Sequence, residues 1–127
     1  MKTPGPDHPI AISPNPRRVR AFINGHVIAD TADALTLEEV GYPPVQYFPR
    51  GDVETGFLSQ SPKVTHCPYK GEATHYAMMI DGDLIEDAAW SYQAPYPAME
   101  AIRGRIAFYP EKVEVYEPGL ERPHNAT

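Results

Sequence analysis

Apolar and polar positions alternate over short runs along this chain, and each run breaks at Pro, Gly, Asn or Asp. That pattern is the signature of strands joined by tight turns. Fifteen prolines and nine glycines in 127 residues leave little room for long helices, so the chain reads as mainly β. Arg18–Ile23 and His26–Asp30 flank Asn24-Gly25, a dipeptide that accepts the positive φ angles of a type I′ hairpin turn. Asp81-Gly82 joins Ala73–Ile80 to Asp83–Trp90 in the same way. A third hairpin is expected between Arg105–Tyr109 and Lys112–Tyr116. Thr36–Val40 reads as a short helical turn, and Pro97–Arg103 as a short helix with Pro near its start and Gly104 past its end.

A two-residue loop at Asp81-Gly82 fixes a register, because each side chain of a strand then falls on a defined face. Ile80 pairs with Asp83, Ala77 with Glu86, His75 with Ala88 and Ala73 with Trp90. Ala73, His75, Ala77 and Met79 therefore share a face with Leu84, Glu86, Ala88 and Trp90, and His75 lies diagonal to both Glu86 and Trp90. This face reads either as a pocket floor or as a half-exposed sheet face carrying a weak His/Glu pair. The other face, with Thr74, Tyr76, Met78, Ile80, Ile85 and Ala89, suits a core, and Tyr76 would oppose Asp87 there.

Residues 1–16 hold five prolines and read as an extended N-terminal arm, residues 17–117 as one folded domain, and residues 118–127 as a polar tail. The length suits one hydrophobic core. A hydrophobic fraction of 42% with 22% charged residues argues against disorder outside the ends. The net charge of −6 opposes a phosphate backbone, so no nucleic-acid partner is expected. No apolar run reaches the length of a membrane span and Met1–Pro6 has no apolar signal core, so a cytoplasmic protein without a membrane partner is expected.

Thr65-His66-Cys67-Pro68-Tyr69-Lys70-Gly71-Glu72 crowds reactive side chains onto a loop. Cys67 is the chain's single cysteine, so it forms no internal disulfide and excludes zinc sites built on paired CxxC motifs. It reads as a small buried residue or as a nucleophile assisted by His66, His75 or Lys70. In the enzyme reading Cys67, His75 and Glu86 are catalytic, with Glu86 orienting His75. Tyr47, Arg50, His66, Lys70, Glu72, Trp90 and Tyr92 are the ligand-binding candidates, Lys70 and Arg50 clamping an anionic group. His66, His75, Glu72 and Glu86 are metal-ligand types without a diagnostic spacing, so no metal or cofactor is expected.

Three stretches carry a resemblance: Gly41–Pro49 with Asp52-Val53, Thr65–Gly71 with Glu72-Ala73, and Ala88-Ala89-Trp90-Ser91-Tyr92. Together with Ile106–Tyr109 and Val113–Val115 they resemble the domain-of-unknown-function family numbered 427, from about Arg18 to Tyr116. The resemblance implies a small mainly β domain similar to the β-tent architecture: a compact antiparallel β-tent or sandwich-like unit built from hairpins, with one or two short helical turns. The family carries a nucleotidyltransferase-like label. No Gly-Ser turn followed by Asp-x-Asp occurs here, and Asp81-Gly82-Asp83 suits a hairpin tip.

The expected site is a polar, aromatic-lined pocket between the Tyr42–Asp52 loop, the Thr65–Glu72 loop and the face bearing His75, Glu86 and Trp90. Its expected occupant is a small polar or anionic metabolite, bound or chemically transformed. The alternative is a non-catalytic binding or protein-interaction module; the oligomeric state is open.

Overall fold

Asn24 and Gly25 take φ of 51° and 83°, the left-handed pair a tight hairpin needs, and join β2 (Val19–Ile23) to β3 (His26–Thr31). The computed structural model describes residues 1–119. Of the tail expected over 118–127, the part from Leu120 onward lies outside the described residues. Asp81 and Gly82, at 52° and 82°, likewise join β7 (Gly71–Ile80) to β8 (Asp83–Ser91).

Among the described residues the strands form three antiparallel sheets. β1 (Ile10–Pro14), β4 (Leu35–Glu39) and β5 (Val45–Tyr47) lie in the order β1-β4-β5. β10 (Glu114–Tyr116) adds to β2, giving β10-β2-β3. β6 (Leu58–Cys67), β7, β8 and β9 (Ile106–Phe108) form the four-stranded sheet in chain order. Among the described residues the helical content is three short 3-10 turns, at Arg50–Asp52, Thr55–Phe57 and Pro97–Ile102. The architecture is therefore mainly β. Among the described residues no helix is long and apolar enough to cross a membrane.

Three local expectations are corrected. Thr36–Val40 is not a helical turn: Leu35–Glu39 is a central strand, bonded to β1 on one side and β5 on the other. The segments 105–109 and 112–116 do not pair with each other, since β9 joins β8 and β10 crosses to β2. Within residues 1–16, Ile10–Pro14 is a sheet strand. In each case a partner lies outside the segment itself, and the local pattern does not specify it.

The β7–β8 register holds from Ile80↔Asp83 to Met78↔Ile85 and then shifts, so that Tyr76 faces Ala89 and His75 faces Trp90. Two extra residues of β8 are accommodated opposite Ala77, and Asp87 takes φ of 51° there, which Asp tolerates better than most residues. A matching irregularity in β6 lies between Gln60 and Val64. Pro62 falls within it, a residue that cannot donate to a ladder and collects at bulges. Lys63 and Asp87 pair at 3.3 Å across the two irregularities.

Alternation on β7 gives it two buried faces. Tyr76, Met78 and Ile80 join Val19, Ile28, Phe48 and Phe108 in the larger core, where the Phe48 and Phe108 rings meet edge-on at 5.4 Å. Ala73 joins Leu37, Tyr47, Tyr92, Ile102 and Ala107 in a second cluster. Phe48 and Ile106 exchange backbone hydrogen bonds of 2.8 and 2.9 Å, stitching the end of β5 to β9. That stitch sets the β1-β4-β5 sheet beside the His75 face of the larger sheet.

Candidate functional site

A cleft of about 1560 Å³ opens over the His75 face, lined by the ends of β4 and β5, the β6–β7 hairpin, Trp90 and the segment 108–117. Two polar clusters lie within it.

The first centres on His75, which is buried directly opposite Trp90. Its Nδ1 lies 2.8 Å from the Tyr109 hydroxyl and its Nε2 2.7 Å from Thr65 Oγ1. A neutral imidazole has one donor and one acceptor nitrogen, so one hydroxyl donates to the ring and the other accepts from it. Burial depresses the His75 pKa, the Lys63 charge adds to this and Asp87 opposes it. The ring is therefore neutral near pH 7, since the ordinary value is already about 6.5. Trp90 packs on Tyr109 at 4.6 Å between ring centres and meets Tyr47 edge-on at 6.3 Å, while its Nε1 donates to the Tyr47 hydroxyl at 3.2 Å. Burial pushes the Tyr47 and Tyr92 phenols well above their ordinary pKa, so both present protonated hydroxyls.

The second cluster is ionic. Lys70 Nζ donates to Glu39 Oε1 at 2.6 Å and lies 3.6 Å from Cys67 Sγ. His8 Nε2 lies 2.7 Å from the other carboxylate oxygen, and the His8 ring stacks on Tyr69 at 4.1 Å. Burial alone would raise the Glu39 carboxyl, but hydrogen bonds from Lys70 and His8 outweigh it and hold the pKa below the ordinary value. The Lys70 ammonium is thus buried yet compensated.

Of the ten residues singled out from the sequence, Tyr47, Cys67, Lys70, His75, Trp90 and Tyr92 line this cleft. The other four lie elsewhere. Arg50 donates to the Gly104 carbonyl at 3.1 Å and to the Tyr76 and Ser91 hydroxyls, each at 3.3 Å, on the opposite face of β7 and β8 from His75 and Trp90. Its place there also replaces the expected Tyr76–Asp87 pair. His66 and Glu72 face each other across β6 and β7 and line a separate depression of about 390 Å³ beside Tyr96. Glu86 is exposed on the β8 irregularity, and its carbonyl accepts from Lys112 Nζ at 2.7 Å. Two hydroxyls, not Glu86, hold His75, because the register shift carries that carboxylate away.

Sequence reasoning missed Glu39, Thr65 and Tyr109. Glu39 sat in a segment read as a helical turn, and Tyr109 in one read as a hairpin arm. Thr65 was legible as the neighbour, two residues along β6, of Cys67 on the same face. Among the described residues no three His, Cys, Asp or Glu side chains gather into a group that could hold a metal ion. Asp81 serves the hairpin tip, where its carboxylate meets His26 Nε2 at 3.1 Å.

A family model described as a domain of unknown function, DUF427, matches residues 11–119. No curated protein matches the chain.

Proposed function

The chain belongs to the DUF427 family, and on that footing we propose that its cleft binds a small, flat, uncharged metabolite without transforming it. The observation that carries this reading is the Trp90–Tyr109 wall standing over a neutral His75 whose nitrogens are both engaged by hydroxyls. Aromatic faces with a few fixed polar groups suit a planar heterocycle, which stacks on the ring and exchanges hydrogen bonds at its edge.

The anionic ligand expected from the sequence has weaker support. Lys70 is neutralised by Glu39, Arg50 points to the other face of the sheet, and the cleft lining holds Glu39, Glu111, Glu114 and Glu117 against Lys70 and Lys112. Catalysis through Cys67, His75 and Glu86 loses its support for a similar reason. The sulfur contacts Lys70, and the imidazole has no carboxylate behind it. A free thiol at Cys67 fits a reducing, cytoplasmic setting.

Thermal-shift measurements against uncharged nitrogen heterocycles, carboxylates and phosphates test the reading. Heterocycles should raise the melting temperature of the wild type and of Cys67→Ala, and fail to do so with Trp90→Leu. A panel in which no heterocycle acts, or in which Trp90→Leu responds like the wild type, would sink it.

A further inference from the structure

Lys70 closes a three-residue hairpin loop, Pro68-Tyr69-Lys70, between β6 and β7. A lysine in such a turn ordinarily reaches into solvent, because burying an ammonium costs several kcal/mol before compensation. Here the residue is only 7% exposed, and its amine sits between Glu39 Oε1 at 2.6 Å and Cys67 Sγ at 3.6 Å. The loop is fixed from both sides: Lys2 N donates to the Pro68 carbonyl at 2.7 Å and Tyr96 N to the Lys70 carbonyl at 3.0 Å. Cys67 is part-exposed and borders the open cleft, so a small oxidant reaches its sulfur. With a single cysteine in the chain, an oxidised sulfur has no internal thiol to condense with, and the nucleophile in contact with it is the Lys70 amine.

We propose that Cys67 and Lys70 are the two halves of a reversible redox cross-link. Hydrogen peroxide, the two-electron oxidant, converts the Cys67 thiol to sulfenic acid and is itself reduced to water. Glu39 then takes one proton from the Lys70 ammonium, and the freed amine attacks the sulfur. The S–O bond breaks, the hydroxyl leaves with a second amine proton as water, and an S–N bond forms. Sulfur is oxidised in the first step alone; the second is a substitution. Two equivalents of an external thiol reverse it, giving back the Cys67 thiol and the Lys70 amine with an external disulfide as product. The cross-link removes the charge of Lys70 and leaves Glu39 facing His8 alone, which remakes the base of the cleft. Nothing in this chemistry depends on what the cleft binds.

Peptide mass spectrometry of the full chain after peroxide treatment tests the proposal. Trypsin cuts after Lys63 and Lys70 in the reduced protein. The cross-linked protein should yield an uncut peptide running from Val64 past Lys70, lighter by two hydrogens, and dithiothreitol should restore the cut. In Lys70→Arg, which keeps a cation beside Glu39 without a condensing amine, Cys67 should stop at a dimedone-trapped sulfenic acid or proceed to sulfinic acid. The proposal fails if wild-type Cys67 gains oxygen while cleavage after Lys70 continues, or if peroxide leaves it unchanged. The wild-type digest decides even if the variant does not fold.

Discussion

Lys70 and Glu39, 31 residues apart, form an ion pair of 2.6 Å whose side chains are 9% and 11% exposed, and this contact ties the β6–β7 hairpin to the end of β4. At that burial each charge depends on the other. Glu39→Gln strands the ammonium and should cost about 3 kcal/mol of stability. Glu39→Gln combined with Lys70→Met removes both charges and should recover a large part of the loss. Urea denaturation of the two variants checks the order; equal stabilities would show that the pair is solvated and contributes little.

A second expectation concerns pH. His75 has a lowered folded pKa, so as pH falls through about 6.5 the unfolded chain takes up a proton before the folded one. Stability should therefore be level above that point and decline below it, until the folded pKa is reached. Glu39, also lowered, acts in a more acidic window: its contribution is complete above its unfolded value of 4.5 and is lost as pH falls below that. The groups facing His75 are Thr65, Tyr109, Lys63 and Asp87. Denaturation midpoints from about pH 7.5 to 5 should fall in the wild type and fall less in His75→Gln.

Arg50 separates stability from binding. Its guanidinium joins the 3-10 turn at Arg50–Asp52 to Gly104, Tyr76 and Ser91, a planar fork that an ammonium cannot reproduce. Arg50→Lys should cost about 2 kcal/mol and leave the affinity of any cleft ligand unchanged. Calorimetric titration of the variant, with the ligand found by thermal shift, is the check; a tenfold loss of affinity would return Arg50 to the site.

Gly71 opens β7 at φ of 109°, in a region that side chains rarely occupy. A Cβ there would stand 3.5 Å from the Ala94 carbonyl oxygen and from Tyr96 N, ordinary contacts, so the cost of Gly71→Ala is one of backbone strain. We expect a loss of about 1–3 kcal/mol, seen as a lower urea midpoint with the m-value unchanged.

The two two-residue hairpins were legible because Asn24-Gly25 and Asp81-Gly82 encode their turns locally. β4 and β10 were not: β10 pairs with β2 and β4 with β1, both distant in sequence, and β5, the nearer neighbour of β4, is only three residues long. The register of β7 and β8 was readable only as far as Met78 and Ile85. Asp87 adopts a left-handed angle without the glycine that would have announced it, whereas Pro62 did mark the irregularity in β6. The cleft residues on loops and hairpin faces stood out by chemical type. Their partners did not, because Glu39 and Tyr109 reach the cleft through long-range pairing.

The crossing of β10 to β2 pairs Val115 with Ala21, and both Val19 and the segment 108–117 line the cleft. A ribosome making this chain therefore releases the second strand long before the one that covers it. Until about residue 116 has emerged, Arg20, Ala21 and Phe22 have no β10 beside them and the cleft lacks a wall. Closure of such distant pairings is slow, and the exposed edge of β2 is meanwhile open to other strands. Truncations that stop short of Tyr116 should accordingly appear as insoluble or chaperone-bound protein, with the loss felt at both ends of the fold at once.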